Sequence, residues 1–413
     1  MGLIVQKFGG TSVAGTQRIR MVSHHVEREI ANGHQVIVVV SAMAGITDEL
    51  VGYVKDLSSL EDVEAYADHD MVVSAGEQIT AGLLALRLRS MGIPARSWAG
   101  WQVPIHTSGE HGKARIEDIE TQAVLKSIAD GRVAVITGFQ GVTDAGRVTT
   151  LGRGGSDTSA VALAAAFKAE RCDIYTDVDG VYTTDPRIVK NARKLEMISY
   201  EEMLELASAG AKVLQTRSVE MAMNHQVRLQ VRTSFSDAPG TILVKEEDMM
   251  EKHRVTGLAY SRDEARITLS AVDDKPGICA AIFGPLADAN LNVDMIVQNV
   301  TPDGKTTDVT FTVAQGDLPK ATKVLEGLKE VVGYRALHAD DNVAKLSAVG
   351  VGMRSHAGVA QEMFKTLAAK GINIMVITTS EIKISVLIEE SYIELALRAL
   401  HDAYGLEAVV EKG

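Results

Sequence analysis

At 413 residues, with 46% apolar and 23% charged content, the chain is too long for one compact core, and roughly two to four domains are expected. A net charge of -12 argues against non-specific nucleic-acid or anionic-membrane binding, and an aromatic content of 4% means aliphatic cores. Cys172 and Cys279 lie outside any CxxC pair or metal-ligand spacing and read as reduced thiols. No basic region followed by an apolar leader opens the chain, and the apolar run "VIVVV" (36–40) is too short to span a bilayer, so a cytoplasmic protein is expected.

The first element is a strand, "LIVQKF", that runs into Lys7, Gly9-Gly10 and Thr11-Ser12 before the helical "TQRIRMVSHHVEREIAN". Two glycines let a backbone approach a ligand and turn its N–H groups inward. A helix N-terminus beyond them favours an anion, and a lysine adds a mobile charge. The stretch is neither GxxxxGK[ST] nor GxGxxG, and alone it also fits a plain strand-to-helix turn. The next strand, "QVIVVVSAM", leads into "SAMAGITDEL" with Ser41 and Thr47. "SAGEQITAGLLALRL" places Glu77 in the first turn of an apolar helix, where complementing the helix dipole is the alternative to a ligand role.

"RVAVITGFQG" reads as a third buried strand. "LGRGGSDTSA" then repeats the glycine device before the helical "SDTSAVALAAAFKAE". There Ser156 or Asp157 is a candidate helix cap, and Arg153, embedded in glycines, is free to engage a carboxylate or phosphate. "RCDIYTDVDG" is a strand that ends in Thr176-Asp177 and continues as "VYTTDPR" with Tyr182, Asp185 and Arg187. Acids at a strand's C-terminal end suit magnesium-nucleotide or lysine-orienting work; Asp179 and Asp185 also fit an Asp-Gly-rich turn. Near-continuous apolar strands alternating with helices predict an α/β fold with a mainly parallel sheet covered by helices and ligands at the strands' carboxyl ends. The eleven histidines show no HxxxH or HExxH spacing, so no metal site is expected.

"KEEDMMEKHR" marks a change of pattern, and an internal repeat follows. At one constant offset, without a gap, Gly277 aligns with Gly358, Phe283 with Phe364, Leu286 with Leu367, Asn292 with Asn373 and Ile296 with Ile377. Each copy opens with a strand ("ARITLSAV", "AKLSAVGV"), then a helix, a strand, a further strand ("TTDVTFTV", "KISVLIEE") and an amphipathic helix. The apolar stripes are Val324, Leu325, Leu328 and Val332 in one copy and Ile393, Ala396, Leu397 and Leu400 in the other. The pattern predicts two ferredoxin-like βαββαβ units. Ser391 and Glu394 have capping-box spacing, Pro285 should kink its helix, and "TPDGKTTD" reads as a hairpin insertion. Expected domains are 1–245, a linker 246–262, then 263–340 and 341–413; either "VTGLAYS" (255–261) or the terminal "EAVV" completes the last sheet.

The ordered motifs "KFGGTS", "SAMAG", "GE", "LGRGGSD", "TDVDGVYTTDPR" and "GAKVL", followed by this repeat, resemble the aspartokinases of the amino-acid kinase superfamily with their paired ACT domains. The resemblance covers nearly the whole chain. It implies MgATP-dependent phosphorylation of the β-carboxylate of L-aspartate to 4-phospho-L-aspartate, the committed step toward lysine, threonine, methionine and isoleucine. It implies Lys7 as the catalytic lysine, Gly9, Gly10 and Thr11 as its phosphate loop, and Asp177 as an acid that orients lysines or the metal complex. Thr176, Tyr182, Asp185, Arg187 and Lys212 would contact the nucleotide. Ser41, Thr47, Glu77, Arg153 and Ser156 would form the aspartate pocket, Glu77 on the α-ammonium and Arg153 on a carboxylate. Feedback amino acids, lysine and/or threonine, would bind between repeats of two chains at Gly277, Asp294, Gln298, Asn299, Asn373, Ile374, Ser380 and Glu381. A homo-oligomer is implied; some relatives of this length also make a shorter regulatory chain from an internal start near this position, for which Met249 or Met250 could serve. The competing readings are a kinase of the same superfamily acting on glutamate, acetylglutamate or a nucleotide, and an inactive amino-acid sensor.

Overall fold

The computed structural model describes residues 2–60, 62–249, 254–300, 305–356 and 358–407. Met250, the first residues of "TPDGKTTD" and the end of "EAVV" lie outside them. The chain forms two compact units: Met1–Val181, Lys194–Ala207 and Lys212–Met250 make one, and Tyr182–Arg193, Ser208–Ala211 and Glu251–Gly413 the other.

The strands of the first unit are β1 (Leu3–Phe8), β2 (Gln35–Val40), β3 (Ala95–Trp98), β4 (Ile105–Thr107), β5 (Ile116–Ile119), β6 (Val133–Thr137), β7 (Gln140–Val142), β8 (Val148–Thr150), β9 (Arg171–Thr176), β10 (Met197–Ser199), β11 (Leu229–Thr233) and β12 (Thr241–Val244). Its helices are α1 (Thr16–Ala31), α2 (Ile46–Leu57), α3 (Val63–Val73), α4 (Ala75–Ser90), α5 (Gln122–Ala129), α6 (Gly155–Ala166), α7 (Tyr200–Ser208) and α8 (Thr216–His225). Eight strands form one sheet in the order β10-β12-β11-β9-β1-β2-β6-β3, parallel except where β12 meets β11. The central strands are buried on both faces, which is why they read as continuous Val and Ile.

Strand alternation then sorts the side chains. Ile4 and Phe8 of β1 and Val36, Val38 and Val40 of β2 share one core cluster with residues of α1 and α4. Val5 and Lys7 of β1 therefore point to the opposite face, where α6 packs against β1 and β9. Every residue of α6 from Gly155 to Ala164 is buried.

"RVAVITGFQG" is not one strand. Phe139, with φ +68, breaks it after β6, and β7 leaves the large sheet for a small one of order β5-β4-β7-β8. Val63–Ser90 is long and apolar enough to cross a membrane by length and composition, yet half of its most apolar stretch is buried in the protein. Leu84, Ala85 and Leu88 there sit in the core against α1.

In the second unit, β13 (Gly257–Asp273), α9 (Ile278–Asp288), β14 (Asp294–Val300), β15 (Thr306–Val313), α10 (Leu318–Gly327) and α11 (Lys329–Val332) form the first repeat. The second comprises β16 (Ala336–Val349), α12 (Val359–Ala369), β17 (Val376–Thr379), β18 (Lys383–Glu389) and α13 (Ile393–Ala403). One antiparallel sheet, β14-β15-β13-β16-β18-β17, joins the two. The long strands β13 and β16 each serve both repeats. Gly257–Ser261 pairs with 345–349, and Arg266–Ser270 pairs with 336–340. "VTGLAYS" thus supplies the fourth strand of the second repeat. Gly257–Ser261 is strand, not linker, and the 340/341 boundary falls inside β16.

Both expected apolar stripes face cores, although the first helix breaks at Leu328 into α10 and α11. α9 continues through Pro285 to Asp288. The capping box does not form: Ser391 Oγ donates to Glu389, and Tyr392 precedes α13 without a side-chain cap. Tyr182–Arg193 belongs to this unit, with Val189 and Ala192 in its core and Thr183 Oγ1 3.0 Å from Nε2 of buried His401.

Candidate active site

Lys7, penultimate in β1, is 8% exposed, and its Nζ lies 2.5 Å from Asp157 Oδ1 in the first turn of α6. The sheet's alternation puts the lysine on α6's face, and the Gly154 N-cap, in the left-handed region at φ +72, starts the helix there. Neither Ser156 nor Asp157 caps α6; Asp157 is occupied as the lysine's counter-charge. Asp177 does not hold this lysine. It is exposed just beyond β9, where Thr176 Oγ1 donates to it at 3.1 Å.

The turn after β1 is tied down by Gly9 N to Tyr175 O (3.1 Å), Ser12 N to Gly9 O (2.9 Å) and Ala44 N to Gly10 O (3.1 Å). A Cβ at Gly9 would stand 3.3 Å from Lys7 Nζ, and one at Gly10 3.0 Å from Ala42 O. Close approach to backbone therefore favours glycine at position 10, while at position 9 a side chain would crowd the lysine's ammonium. Among the described residues, the amides of Gly10 and Thr11 have no acceptor, which leaves two donors in the turn that follows Lys7.

Glu77 lies 3% exposed at the start of α4. Its Oε1 accepts from Ala42 N at 2.9 Å, while Oε2 is buried without a partner among the described residues. Burial pushes its pKa up to about 7, against the lowering effect of the Ala42 N–H. Gly76 permits this placement, since a Cβ there would meet Ala42 Cβ at 2.6 Å.

Arg153 sits between Gly152 (φ +76) and Gly154, exposed, with no ion pair or hydrogen bond to its guanidinium among the described residues. A Cβ at Gly154 would run into the Gln215 side chain at 2.0 Å. Lys7, Gly10, Ser41, Thr47, Glu77, Arg153, Ser156 and Asp157 line one cavity of about 330 Å³, together with Phe139 and Gln215. Two cationic side chains, Lys7 and Arg153, the Glu77 carboxylate and the Gly10 amide around one space suit a zwitterionic amino acid beside a polyphosphate.

The other expected nucleotide residues are not gathered here. Thr176 is half-buried, and Lys212 is exposed in the loop after α7. Tyr182, Asp185 and Arg187 group with the second unit. There Asp185 accepts from Arg187 N (2.9 Å) and Nη2 (2.7 Å) and from Tyr260 OH (3.3 Å), and Arg187 holds its carboxyl below the ordinary value.

Of the expected effector residues, Gly277 (φ +92) precedes α9, and Asp294 Oδ2 is 2.7 Å from Nζ of buried Lys345, which also meets Glu264 at 2.9 Å. Gln298 Oε1 is 3.5 Å from Cys279 Sγ, and Asn299 O accepts from Thr307 Oγ1. Asn373 is exposed and Ile374 half-buried before β17; Ser380 N bonds Lys383 O, and Glu381 pairs with Arg354 at 3.1 Å. Met295 of β14 and Val376 of β17 share a small buried cluster, which brings the equivalent segments of the two repeats together in one chain.

Sequence reasoning missed Phe139 and Gln215, and it gave Asp157 only a capping role. The "GSD" triplet at a helix start held the signal for Asp157, but choosing Lys7 as its partner needed the β1–α6 packing.

A model of the amino acid kinase family matches residues 2–233, and ACT domain models match 266–330 and 346–404. The fold and site therefore define an amino acid kinase with two ACT domains. The chain is 52% identical to the aspartate kinase of Pseudomonas putida over all of both chains. It superposes on the crystal structure of Escherichia coli aspartokinase III with aspartate and ADP (R-state) at a TM-score of 0.82 and 27% identity, covering 97% of this chain and 99% of that one. The T-state of that enzyme, in complex with lysine and aspartate, matches at 0.76 and 27%, with the same coverage. The chain belongs to the aspartokinases of this family.

Proposed function

We propose that the enzyme transfers the γ-phosphoryl group of MgATP to the β-carboxylate of L-aspartate, giving 4-phospho-L-aspartate and ADP as the first step of lysine, threonine, methionine and isoleucine synthesis. The supporting observation is the single cavity that holds the Lys7–Asp157 pair, the unpartnered oxygen of Glu77 and the free Arg153. A β-carboxylate is ionised at neutral pH, so the nucleophile needs no general base. One carboxylate oxygen forms a bond to Pγ as the bond from Pγ to the bridging oxygen breaks and ADP leaves. The obstacle is charge, since an anion must approach a polyphosphate.

Lys7 and the amides of Gly10 and Thr11 carry the transferring phosphoryl group in this reading. Asp157 holds the ammonium in place. Magnesium arrives with the nucleotide and neutralises part of its charge; Asp177, Thr176 and Lys212 remain the first unit's candidates for that complex. Glu77 takes the substrate's α-ammonium, Arg153 a carboxylate, and Ser41, Thr47 and Ser156 supply hydroxyls. The aspartate and ADP bound by the E. coli relative support this assignment.

The test is product formation with aspartate, glutamate and acetylglutamate in parallel, following ADP release and trapping the acyl phosphate with hydroxylamine. Aspartate alone should give hydroxamate. Turnover on glutamate alone would sink the proposal, and no turnover on any would favour a sensor. Feedback by lysine, threonine or both at the repeat segments is the regulatory part of the proposal, supported by the lysine complex of the E. coli relative. If neither amino acid, alone or together, inhibits, that part fails.

A further inference from the structure

The loop that carries Arg153 is held from two sides by charged groups that do not themselves line the cavity. On one side is Asp70 of α3, fully buried. Its Oδ2 accepts from Thr150 N (2.9 Å), Gly112 N (2.9 Å) and His111 Nδ1 (3.0 Å). Its Oδ1 accepts from Thr150 Oγ1 (2.6 Å) and lies 3.3 Å from His69 Nδ1. On the other side is Arg217 of α8, which donates to Leu151 O (3.0 Å) and Ala114 O (2.9 Å). Both groups grip the same two strips of backbone, 111–114 and 150–151, which also bond each other through Ala114 N and Thr150 O (2.9 Å). Gly152 follows at once, so close that a Cβ there would stand 3.1 Å from Gly112 O. Arg153 is the next residue.

We propose that Asp70 and Arg217 are positioning residues for substrate recognition: they fix Thr150–Leu151 so that Gly152 and Gly154 can present the Arg153 guanidinium to the cavity. The inference rests on the assignment of Arg153 to the aspartate carboxylate. The chemistry of the two clamps explains their residue types. A carboxylate offers two acceptor oxygens to a set of donors, and a guanidinium spans two carbonyls with a rigid fork. Arg153, with no partner of its own among the described residues, depends on its backbone for direction.

The test uses the full-length enzyme with Asp70→Asn, Arg217→Lys and Arg153→Ala, and the combinations Asp70→Asn/Arg153→Ala and Arg217→Lys/Arg153→Ala. Asn replaces one acceptor oxygen by an NH2 that opposes the N–H donors. KM for aspartate should rise roughly 10- to 100-fold in Asp70→Asn and about threefold to tenfold in Arg217→Lys. KM for ATP should stay within about twofold. In the Arg153→Ala background both substitutions should add little, because the group they act through is gone. If Arg153→Ala raises KM for aspartate while Asp70→Asn and Arg217→Lys do not, the positioning role is wrong and the substrate assignment stands. Equal losses for aspartate and ATP, or full effects in the Arg153→Ala background, also overturn it. An unchanged KM for aspartate in Arg153→Ala overturns the substrate assignment itself, and the role of the clamps with it. Should Asp70→Asn fail to fold, Arg217→Lys decides alone.

Discussion

Glu77→Gln separates what this carboxyl costs the fold from what it contributes to binding. Glu77 is buried against Ala42, with one oxygen bonded and one orphaned, and its pKa rises from 4.5 to about 7. Below pH 4.5 the group is protonated in both folded and unfolded chains and costs nothing through ionisation. Between 4.5 and 7 the unfolded chain ionises while the folded one resists. Above 7 the full penalty applies, about 3 kcal/mol for a shift of this size. Gln cannot ionise and can still accept from Ala42 N. The variant should therefore melt a few degrees higher than the parent at pH 8, and the advantage should shrink toward zero at pH 4.5. Binding should respond in the opposite sense. The ammonium of aspartate needs the ionised carboxylate, so kcat/KM for aspartate should fall on the acid side of about pH 7 in the parent. The variant should lose that limb and run roughly 100-fold lower at pH 8. Melting curves at the two pH values and kcat/KM profiles from pH 5.5 to 9 are the assays. A variant destabilised at pH 8, or one that keeps the parent's acid limb, would refute the reasoning about this site.

Three further outcomes follow from the same geometry. Lys7→Met should lower kcat by at least about 100-fold with little change in KM for aspartate, because the ammonium is assigned to charge that develops during transfer; steady-state kinetics with either substrate varied would show it. Gly154→Ala forces a side chain into a left-handed position, with its Cβ 2.0 Å from Gln215 Cγ, and should lower both the melting temperature and the aspartate kinetics. A normal KM for aspartate in that variant would contradict the tight loop. Lys345→Met strips the shared counter-charge from buried Glu264 and from Asp294, which should cost about 3–5 kcal/mol in the second unit. Denaturant unfolding followed by a probe in the repeats should show it, together with an altered response to lysine or threonine; a melt unchanged from the parent would count against the pairing.

Some of this was already determined by the sequence. Valine and isoleucine runs set the parallel sheet, because strands buried on both faces need no polar alternation. Gly9-Gly10 and Gly152, Gly154 and Gly155 marked the places where backbone meets ligand or neighbour: Gly152 and Gly154 take left-handed φ values, and Gly10 and Gly155 leave little room for a Cβ. The gapless offset between Gly277 and Gly358 already specified two like units. What the sequence left open was decided by pairing across long distances. Phe139 breaks an apolar run in two because its second half has a partner in the small sheet. "VTGLAYS" becomes strand because the second repeat leaves an edge that β16 alone does not cover. Local pattern offered Asp157 as a cap and Asp177 for magnesium-nucleotide or lysine-orienting work. The crossing of β1 and α6 made Asp157, in the first turn of α6, the partner of Lys7, while Asp177 is exposed beyond β9. Which acid meets a buried lysine depends on distances across the fold, and spacing along one chain does not carry that information.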